Sequence, residues 1–423
     1  MKKLFAAIAL IGLLVTAGCG TQDTTTASPT ATTQPTTTTS LNADEQHELL
    51  AEGNSAFAFA LYRQLKDGDG NLFYSPFSIS SVMAMVYAGA NGDTETEIRN
   101  ALNFNLPEMY LHSSFQWLQE QLASRQETIG DFEPDEMFKL HIVNDIWGQK
   151  DYRYLQDFLD TLEQDYGAGL REMDFIDAPE EARQIINDYI SEQTEDRIND
   201  LIPSGAIDAM TRLVLTNAIY FNATWFYDFS EDATAPADFR LLDGSNKTVD
   251  MMHQTSRFNY ISGDDYQAIE MLYRGNQTSM VVILPEDGKF AELEDRLDTG
   301  LLTDILNDMQ MQEVKLSLPK FEFESEFSLN DALAALGMPG AFTASADFSG
   351  ITDQEALWIS KVIHKSFVSV DEEGTEAAAA SAVIMLGSAP LEPEIMTVDH
   401  PFIFLIRDIP TNTVLFLGRV MEP

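Results

Sequence analysis

Alternation of apolar and polar positions predicts β-strands in the C-terminal part of this chain. Phe367–Val370 alternates with period two, and Phe402–Ile406 and Val414–Leu417 are apolar runs of strand length. Because the last two runs are separated by a short turn, we expect them to lie side by side in one sheet.

An earlier run, Leu213–Phe221, is apolar with one amide in it, that of Asn217. Such a run is typical of a strand that is covered on both faces. A buried amide costs free energy unless it is hydrogen-bonded, so Asn217 is expected to have partners. Val143–Gly148 predicts a further strand.

Apolar residues at helical spacing predict helices in the N-terminal half. The expected bounds are Glu45–Leu65, Val82–Ala90, Tyr154–Tyr166 and Ala182–Gln193. Pro76 suits the start of a helix. The hydroxyls of Ser75 and Ser78 lie among apolar residues, so they need hydrogen-bond partners.

A long segment of small side chains, Glu372–Pro390, connects two groups of predicted strands. Four consecutive alanines, Ala377–Ala380, followed by Gly387 favour a short helix by propensity alone. If the segment is extended, alternate residues share one face, and the small side chains fit between strands that are already packed. That face then carries Thr375, Ala377, Ala379, Ser381 and Val383.

The sequence Gly374–Ser381, placed after Asp371–Glu373 and before Val398–Phe404, resembles the hinge and signature strand of inhibitory serpins. Further family motifs follow in the expected order, including Leu316–Phe323 and Ala346–Ile351. The resemblance implies an α+β serpin fold over residues 45–423. That fold has three β-sheets, about eight or nine helices and an exposed reactive-centre loop.

The resemblance also implies a function, which is inhibition of serine proteases by a suicide-substrate mechanism. The cleaved loop inserts into the central sheet and the protease is trapped as an acyl-enzyme, so the protein is not an enzyme and has no catalytic residues. The insertion hinge is expected to comprise Glu372, Gly374, Thr375, Glu376, Ala377, Ala378, Ala379, Ala380, Ser381 and Ala382. A non-inhibitory serpin that acts as a binding or carrier protein is the alternative, and a hydrolase built on Ser75 or Ser388 is a third.

The reactive bond implied by the resemblance is Ser388–Ala389, and Leu386–Gly387 and Met385–Leu386 are alternatives. Pro390 disfavours a cut directly before it, because proline lacks an N–H and spoils extended binding to a protease. Small or apolar residues at these positions favour an elastase-, chymotrypsin- or subtilisin-like target. A papain-like cysteine protease is the alternative partner.

Two structural clusters are implied by the same resemblance. One, the shutter, lies under the centre of the main sheet, and the other, the breach, lies where the loop first enters. The expected residues are Ser75, Ser78, Asn217, Phe221 and His364 for the shutter and Trp225 for the breach. Considered singly, His364 and Trp225 are equally typical of core residues.

Composition excludes several classes of partner. The formal net charge of −43 disfavours nucleic acid and anionic lipid surfaces. Between Asn103 and Gln126 the only cation is Arg125, so a heparin-type polyanion is not expected. Six histidines without metal-ligand spacing and a single cysteine predict neither a metal site nor a cofactor.

The N-terminus has the pattern of an exported prokaryotic lipoprotein. Residues 1–18 have a basic start, an apolar stretch and small residues before Cys19, which predicts a signal peptide and lipidation of Cys19. Residues 19–44 are Thr-rich and predict a disordered tether. We therefore expect a monomer outside the cell that is anchored to the membrane only through its lipid. Asn222, Asn246 and Asn276 each begin a triplet that fits a glycosylation acceptor.

Overall fold

The strands form two hydrogen-bonded sheets, and the smaller sheet carries the candidate site. The computed structural model describes residues 41–68, 70–125, 138–354, 356–375 and 392–423. Within them the strands are β1 (Leu72–Tyr74), β2 (Phe138–Gln149), β3 (Leu170–Met173), β4 (Leu213–Thr224), β5 (Ala235–Arg240), β6 (Asn246–Ser262), β7 (Tyr266–Leu272), β8 (Thr278–Pro285), β9 (Gln310–Pro319), β10 (Phe321–Ser328), β11 (Lys361–Val370), β12 (Gly374–Thr375), β13 (Glu394–Thr397), β14 (Phe402–Asp408) and β15 (Thr413–Val420).

The smaller sheet has six strands in the order β10-β11-β12-β4-β2-β3. β4 is buried along nearly its whole length, as its apolar sequence predicts, and β2 pairs with it antiparallel from end to end. β11 runs parallel to β4 on the other side. The sheet is therefore mixed, with two long parallel strands at its centre.

The larger sheet has nine strands, and β6 belongs to two parts of it. Asn246–Met251 at the start of this 17-residue strand pairs with β5, and Asn259–Ser262 at its end pairs with β7. The expected three sheets thus form two hydrogen-bonded sheets in the described residues, because β6 continues from one part of the larger sheet into the other.

Nine α-helices surround the two sheets in the described part of the chain, in agreement with the predicted α+β class. They are α1 (Ala43–Leu65), α2 (Pro76–Tyr87), α3 (Gly92–Ala101), α4 (Glu108–Ser124), α5 (Gln156–Tyr166), α6 (Pro179–Gln193), α7 (Phe290–Asp295), α8 (Thr299–Asp308) and α9 (Asn330–Ala335). Short 3-10 turns occupy Glu231–Ala233 and Pro339–Phe342.

Helices α2 and α6 cover opposite faces of the six-stranded sheet. α6 packs Ile186 and Ile190 on outward-facing residues of the sheet such as Val143 and Ala218. α2 is buried at all of its residues and contacts β4 of the smaller sheet and β15 of the larger one. The inner face of the smaller sheet therefore meets α2, which lies between the two sheets.

The predicted helices are present with shifted ends, and local capping explains where α1 and α2 begin. α1 begins at Ala43 because Asn42 and Glu45 form a capping box. α2 begins at Pro76, earlier than the predicted Val82, because the Ser75 side chain accepts from the Ser78 N–H and Pro76 occupies the first turn.

Within the described ranges, none of the helices combines the length and the apolar character that a bilayer crossing requires.

Candidate functional site

The centre of the six-stranded sheet is divided between a closed part and an open part. Lys361–Phe367 of β11 pairs directly with Val214–Tyr220 of β4. Beyond Phe367 the two strands separate and β12 lies between them, with Thr375 opposite Val370 on one side and Ala223 on the other. The first residues of the predicted hinge are thus already a short central strand, antiparallel to both neighbours.

Gly374 lies at the closest approach of β12 to β4. A Cβ atom at this position would be 2.2 Å from the Ala223 carbonyl oxygen and 2.8 Å from the Thr224 Cα. Both of these are backbone atoms, which cannot move aside as the end of a flexible side chain can. Only glycine fits here without displacing the strand.

Thr375 points into the core and has one polar partner there. Its Oγ1 lies 2.8 Å from the hydroxyl of Tyr273. The Tyr273 ring stacks on the Trp225 ring with centroids 4.6 Å apart, and the indole N–H of Trp225 donates to the Asp371 carbonyl. The predicted breach residue Trp225 therefore lies beneath the point where the loop enters the sheet.

Glu372 anchors the start of the hinge through two side-chain contacts. Its carboxylate accepts from Lys320 Nζ at 2.6 Å and from Thr234 Oγ1 at 2.6 Å. Burial alone would raise the pKa of this carboxyl, but the hydrogen bonds from Lys320 and Thr234 lower it below its ordinary value. Glu372 is consequently held as a charged, fully partnered side chain.

The four polar residues of the predicted shutter, Ser75, Ser78, Asn217 and His364, form one hydrogen-bonded cluster between β4, β11 and α2. The Asn217 amide donates to Ser78 Oγ and to Asn144 Oδ1, and its oxygen accepts from His364 Nδ1. Ser78 also donates to Asn144 Oδ1 at 3.1 Å. The buried amide of Asn217 therefore has the partners that the sequence required.

The tautomer of His364 follows from its contacts. The Ser75 backbone N–H can only donate, and it lies 3.3 Å from His364 Nε2, so this nitrogen is the acceptor and the ring proton is on Nδ1. Burial lowers the pKa of His364 to about 3, since an imidazolium here would be desolvated. His364 is neutral and bridges the two central strands.

Phe221 lies between the two clusters. It is buried and meets Tyr273 and Phe416 edge to face, with ring centroids 5.2 and 5.6 Å away. One residue further along, Asn222 is half-buried in β4, whereas Asn246 and Asn276 are exposed.

The structure brings the four polar shutter residues into one cluster, whereas Phe221 and Trp225 both contact Tyr273, near β12. Of the predicted hinge, Glu372, Gly374 and Thr375 are described, and Glu376–Ala382 lie outside the described residues. The candidate reactive bonds from Met385 to Ala389, and Cys19, also lie outside them.

Four residues in these contacts were not assigned a role from sequence: Asn144, Thr234, Tyr273 and Lys320. Asn144 had a detectable signal, since it is an amide in a predicted strand, as Asn217 is. The other three have no signal in the sequence, because their partners are distant along the chain.

The described ranges contain no group of His, Cys, Asp or Glu side chains suited to a metal ion. Ser75 caps α2, and its hydroxyl accepts from the Ser78 N–H. The nearest imidazole, His364, contacts the Ser75 backbone N–H rather than the hydroxyl. This arrangement does not provide the activated serine that a hydrolase needs.

Comparisons with known proteins agree with this geometry. A family model described as Serpin (serine protease inhibitor) matches residues 52–423. An uncharacterised serpin-like protein of Thermococcus kodakarensis is 40% identical over 394 residues, covering 92% of this chain and 90% of the relative. The leukocyte elastase inhibitor of Homo sapiens is 40% identical over 388 residues, covering 89% of this chain and 100% of the relative.

A solved structure has the same fold. Human thyroxine-binding globulin complexed with thyroxine superposes with a TM-score of 0.79 at 28% identity, covering 89% of this chain and 99% of that one. The predicted fold is therefore correct over nearly the whole length of both chains.

Proposed function

The chain belongs to the serpin family, and from this premise we propose that it inhibits serine proteases as a suicide substrate. The protease attacks a bond in the segment between β12 and β13 and forms an acyl-enzyme. The segment then inserts between β4 and β11 and carries the protease away before hydrolysis is complete. The protein itself is not an enzyme and uses no cofactor.

The observation that carries this proposal is the short strand β12. Glycine and threonine already occupy the gap between β4 and β11, and each makes ladder contacts with a neighbour. Further insertion needs β4 and β11 to separate along Val214–Tyr220, and each step would replace one strand pair by two. Added ladder hydrogen bonds and buried area would make insertion favourable.

The register of β12 predicts where each loop residue would lie after insertion. Continuing the antiparallel pairing places Ser381 opposite both Asn217 and His364. The same continuation places Val383 between Leu215 and Val362, which are both fully buried. A small hydroxyl would thus meet the polar shutter, and an aliphatic side chain would meet an apolar site.

The register also bears on the reactive bond. Met385 would pair with Leu213, the first residue of β4, so the antiparallel pairing with β4 ends there. A cut at Ser388–Ala389 leaves Leu386, Gly387 and Ser388 as a tether between the inserted strand and the bound protease. A cut at Met385–Leu386 would press the protease against the sheet, so we favour Ser388–Ala389, with Leu386–Gly387 next. At about 3.3 Å per residue, insertion of the loop as far as Ser388 would displace the bound protease by on the order of 45 Å.

The target that we propose is elastase-, chymotrypsin- or subtilisin-like, because the candidate bonds are flanked by small or apolar residues. The similarity to leukocyte elastase inhibitors supports this class.

A carrier role is the second candidate, and the similarity to thyroxine-binding globulin favours it. The uncharged, small residues Ala377–Ala382 favour inhibition.

The discriminating experiment is incubation with an elastase and, separately, with a subtilisin. We expect an adduct that survives boiling in dodecyl sulfate, and mass spectrometry of the released C-terminal peptide will identify the cut bond. Complete cleavage of the loop without an adduct would reject inhibition and leave the carrier role.

We also propose that the protein is exported as a monomer and is held outside the cell by a lipid on Cys19. The sequence before Cys19 supports this proposal. Expressed in a bacterium that lipidates exported proteins, the chain should partition into the detergent phase of a Triton X-114 extract. Cys19→Ala should move it to the aqueous phase, and equal partitioning of both would contradict lipidation.

A further inference from the structure

The strand that follows the loop segment, β13, is held at the edge of the larger sheet. Its residues pair in parallel with β9, and beyond the strand the Val398 N–H donates to the Ser317 carbonyl. The exposed side chain of Ile395 shows that little covers this edge strand from outside. Because β13 has only four residues, its stability depends on the contacts at its ends.

His400 provides such a contact with both ring nitrogens. Nδ1 lies 2.8 Å from Asp399 Oδ1, and Nε2 lies 2.7 Å from the carbonyl oxygen of Pro285, the last residue of β8. The side chain is 12% exposed. The ring therefore ties the residues just after β13 to the end of β8.

Both partners of His400 are acceptors. A carboxylate and a carbonyl oxygen have no proton to give, so each ring nitrogen must carry one. Neutral imidazole has only one N–H, and in that form a nitrogen lone pair would face an acceptor oxygen. Both hydrogen bonds are made only by the imidazolium.

The charged groups around His400 act in both directions, since Asp399 favours a cation there and Arg240 disfavours one. Asp399 is adjacent, and Arg240, whose backbone N–H donates to the Asp399 carbonyl, is paired with Asp287. Glu286 and Tyr266 line the surrounding cavity of about 340 Å³. Among these side-chain types, only imidazole ordinarily titrates between pH 6 and 8.5.

We propose that protonated His400 locks β13 into the larger sheet and that loss of this proton loosens the strand. Burial alone would lower the pKa of His400, but the hydrogen bonds to Asp399 and to the Pro285 carbonyl raise it above 6.5. Because the pKa is raised in the folded state, the stabilisation is complete below pH 6.5. It is lost as pH rises through the folded-state value.

The stability of β13 matters because this strand limits how far an uncut loop can insert between β4 and β11. Gln254 donates to the Tyr227 carbonyl near the breach, and it pairs with Leu316, which pairs with Met396 of β13. β13 therefore lies at the same end of the molecule as β12. An uncut loop that filled the gap would have to return to this end.

Chain length makes that return difficult. An inserted strand from Thr375 to Ile384 would be roughly 30 Å long. Fully extended, residues 385–393 span at most about 32 Å, which is hardly more than the strand itself. Full insertion without cleavage thus requires β13 to detach. Protonation of His400 would therefore slow insertion of the uncut loop before a protease binds. This consequence rests on the proposed function.

The direct test is amide hydrogen exchange of residues 392–401 at pH 6.0 and 8.5, after correction for the intrinsic pH dependence. Protection in the native chain should fall on the order of tenfold for each unit by which the pKa is raised. His400→Asn should give low protection at both pH values. His400→Arg keeps a permanent cation with several donors and should remain protected at both.

A matched control is His141→Asn, which removes a half-exposed imidazole from β2 in the other sheet. It should leave the pH dependence of residues 392–401 unchanged. Equal protection of the native chain at both pH values, or an unaltered pH response in His400→Asn, would overturn the proposal.

A second readout concerns the loop. Uncut protein kept at 37 °C should lose its capacity to form a protease adduct faster at pH 8.5 than at pH 6.0, when both samples are assayed at one common pH. His400→Arg should remove the difference. If fresh protein forms no adduct, the proposed function fails, and hydrogen exchange alone still decides the role of His400.

Discussion

At Gly374, the addition of a single methyl group is expected to destabilise the hinge. Gly374→Ala places a methyl group against the Ala223 carbonyl and the Thr224 Cα. Because both are backbone atoms, we expect a loss of about 1–3 kcal/mol in the free energy of unfolding. Urea unfolding will measure it. Gly169→Ala is the control, since no atom lies within 4 Å of a Cβ there. Equal effects of the two changes would contradict the tight fit.

His364 predicts how the native state responds to acid. Its pKa is about 3 in the fold and about 6.5 when unfolded. The unfolded chain therefore binds the extra proton first. Stability is unaffected by this residue above pH 6.5 and falls below it, by up to about 1.4 kcal/mol per pH unit.

The measurement is urea unfolding between pH 4.5 and 7.5. His112 has its pKa lowered by burial to about 4 and adds a similar slope, so His364→Asn should reduce the acid dependence without abolishing it. An unchanged slope in His364→Asn would show that the ring is not kept neutral by the fold.

At the scale of elements, the register of β12 separates two neighbouring loop positions. After insertion Ala379 would face inward between Ile219 and Ser366, which are fully buried. Ala378 would face outward between Tyr220 and the half-buried Phe367. A carboxylate is costly only at the inward position, where it would have no partner.

We therefore expect Ala379→Glu to turn the proposed inhibitor into a substrate. The number of molecules consumed per protease trapped should rise on the order of tenfold or more, since slow insertion lets hydrolysis finish. Ala378→Glu is the matched control and should change this ratio much less. Titration of an elastase or subtilisin with each variant will decide, and equal ratios would contradict the register.

The elements differ in how far sequence could predict them. β4 and β14 are apolar runs, so their place in the core follows from periodicity. The position of β12 could not be predicted in this way, because it has only two residues and its pairing with β4 joins distant parts of the sequence. The Lys320–Glu372 contact is similar, since 52 residues separate its partners. The shutter was predictable in part, because buried polar residues such as Asn217 demand partners.

The whole molecule is organised around an incomplete sheet. β4 and β11 are paired along Lys361–Phe367 and open beyond it, so a longer central strand could be added without changing the rest of the fold. Helix α6 covers the outer face of these strands, and its packing on Ala218 and Ile363 would have to shift as they part. The barrier to insertion therefore comes from the sheet centre and α6 together.

Cleavage of the loop is expected to stabilise the whole molecule. Cutting within Met385–Ala389 frees residues 376–385 to pair with Asn222 through Leu213 on one side and with β11 on the other. Each added ladder hydrogen bond contributes about 0.5–1.5 kcal/mol net, which together should raise the melting temperature by about 10 °C or more. Calorimetry of uncut and cut protein is the measurement, with the covalent break verified by mass spectrometry. Ala379→Glu should be cut equally well and gain less, because its buried carboxylate opposes insertion. A melting temperature unchanged by cleavage would mean that the native sheet is already at its most stable arrangement.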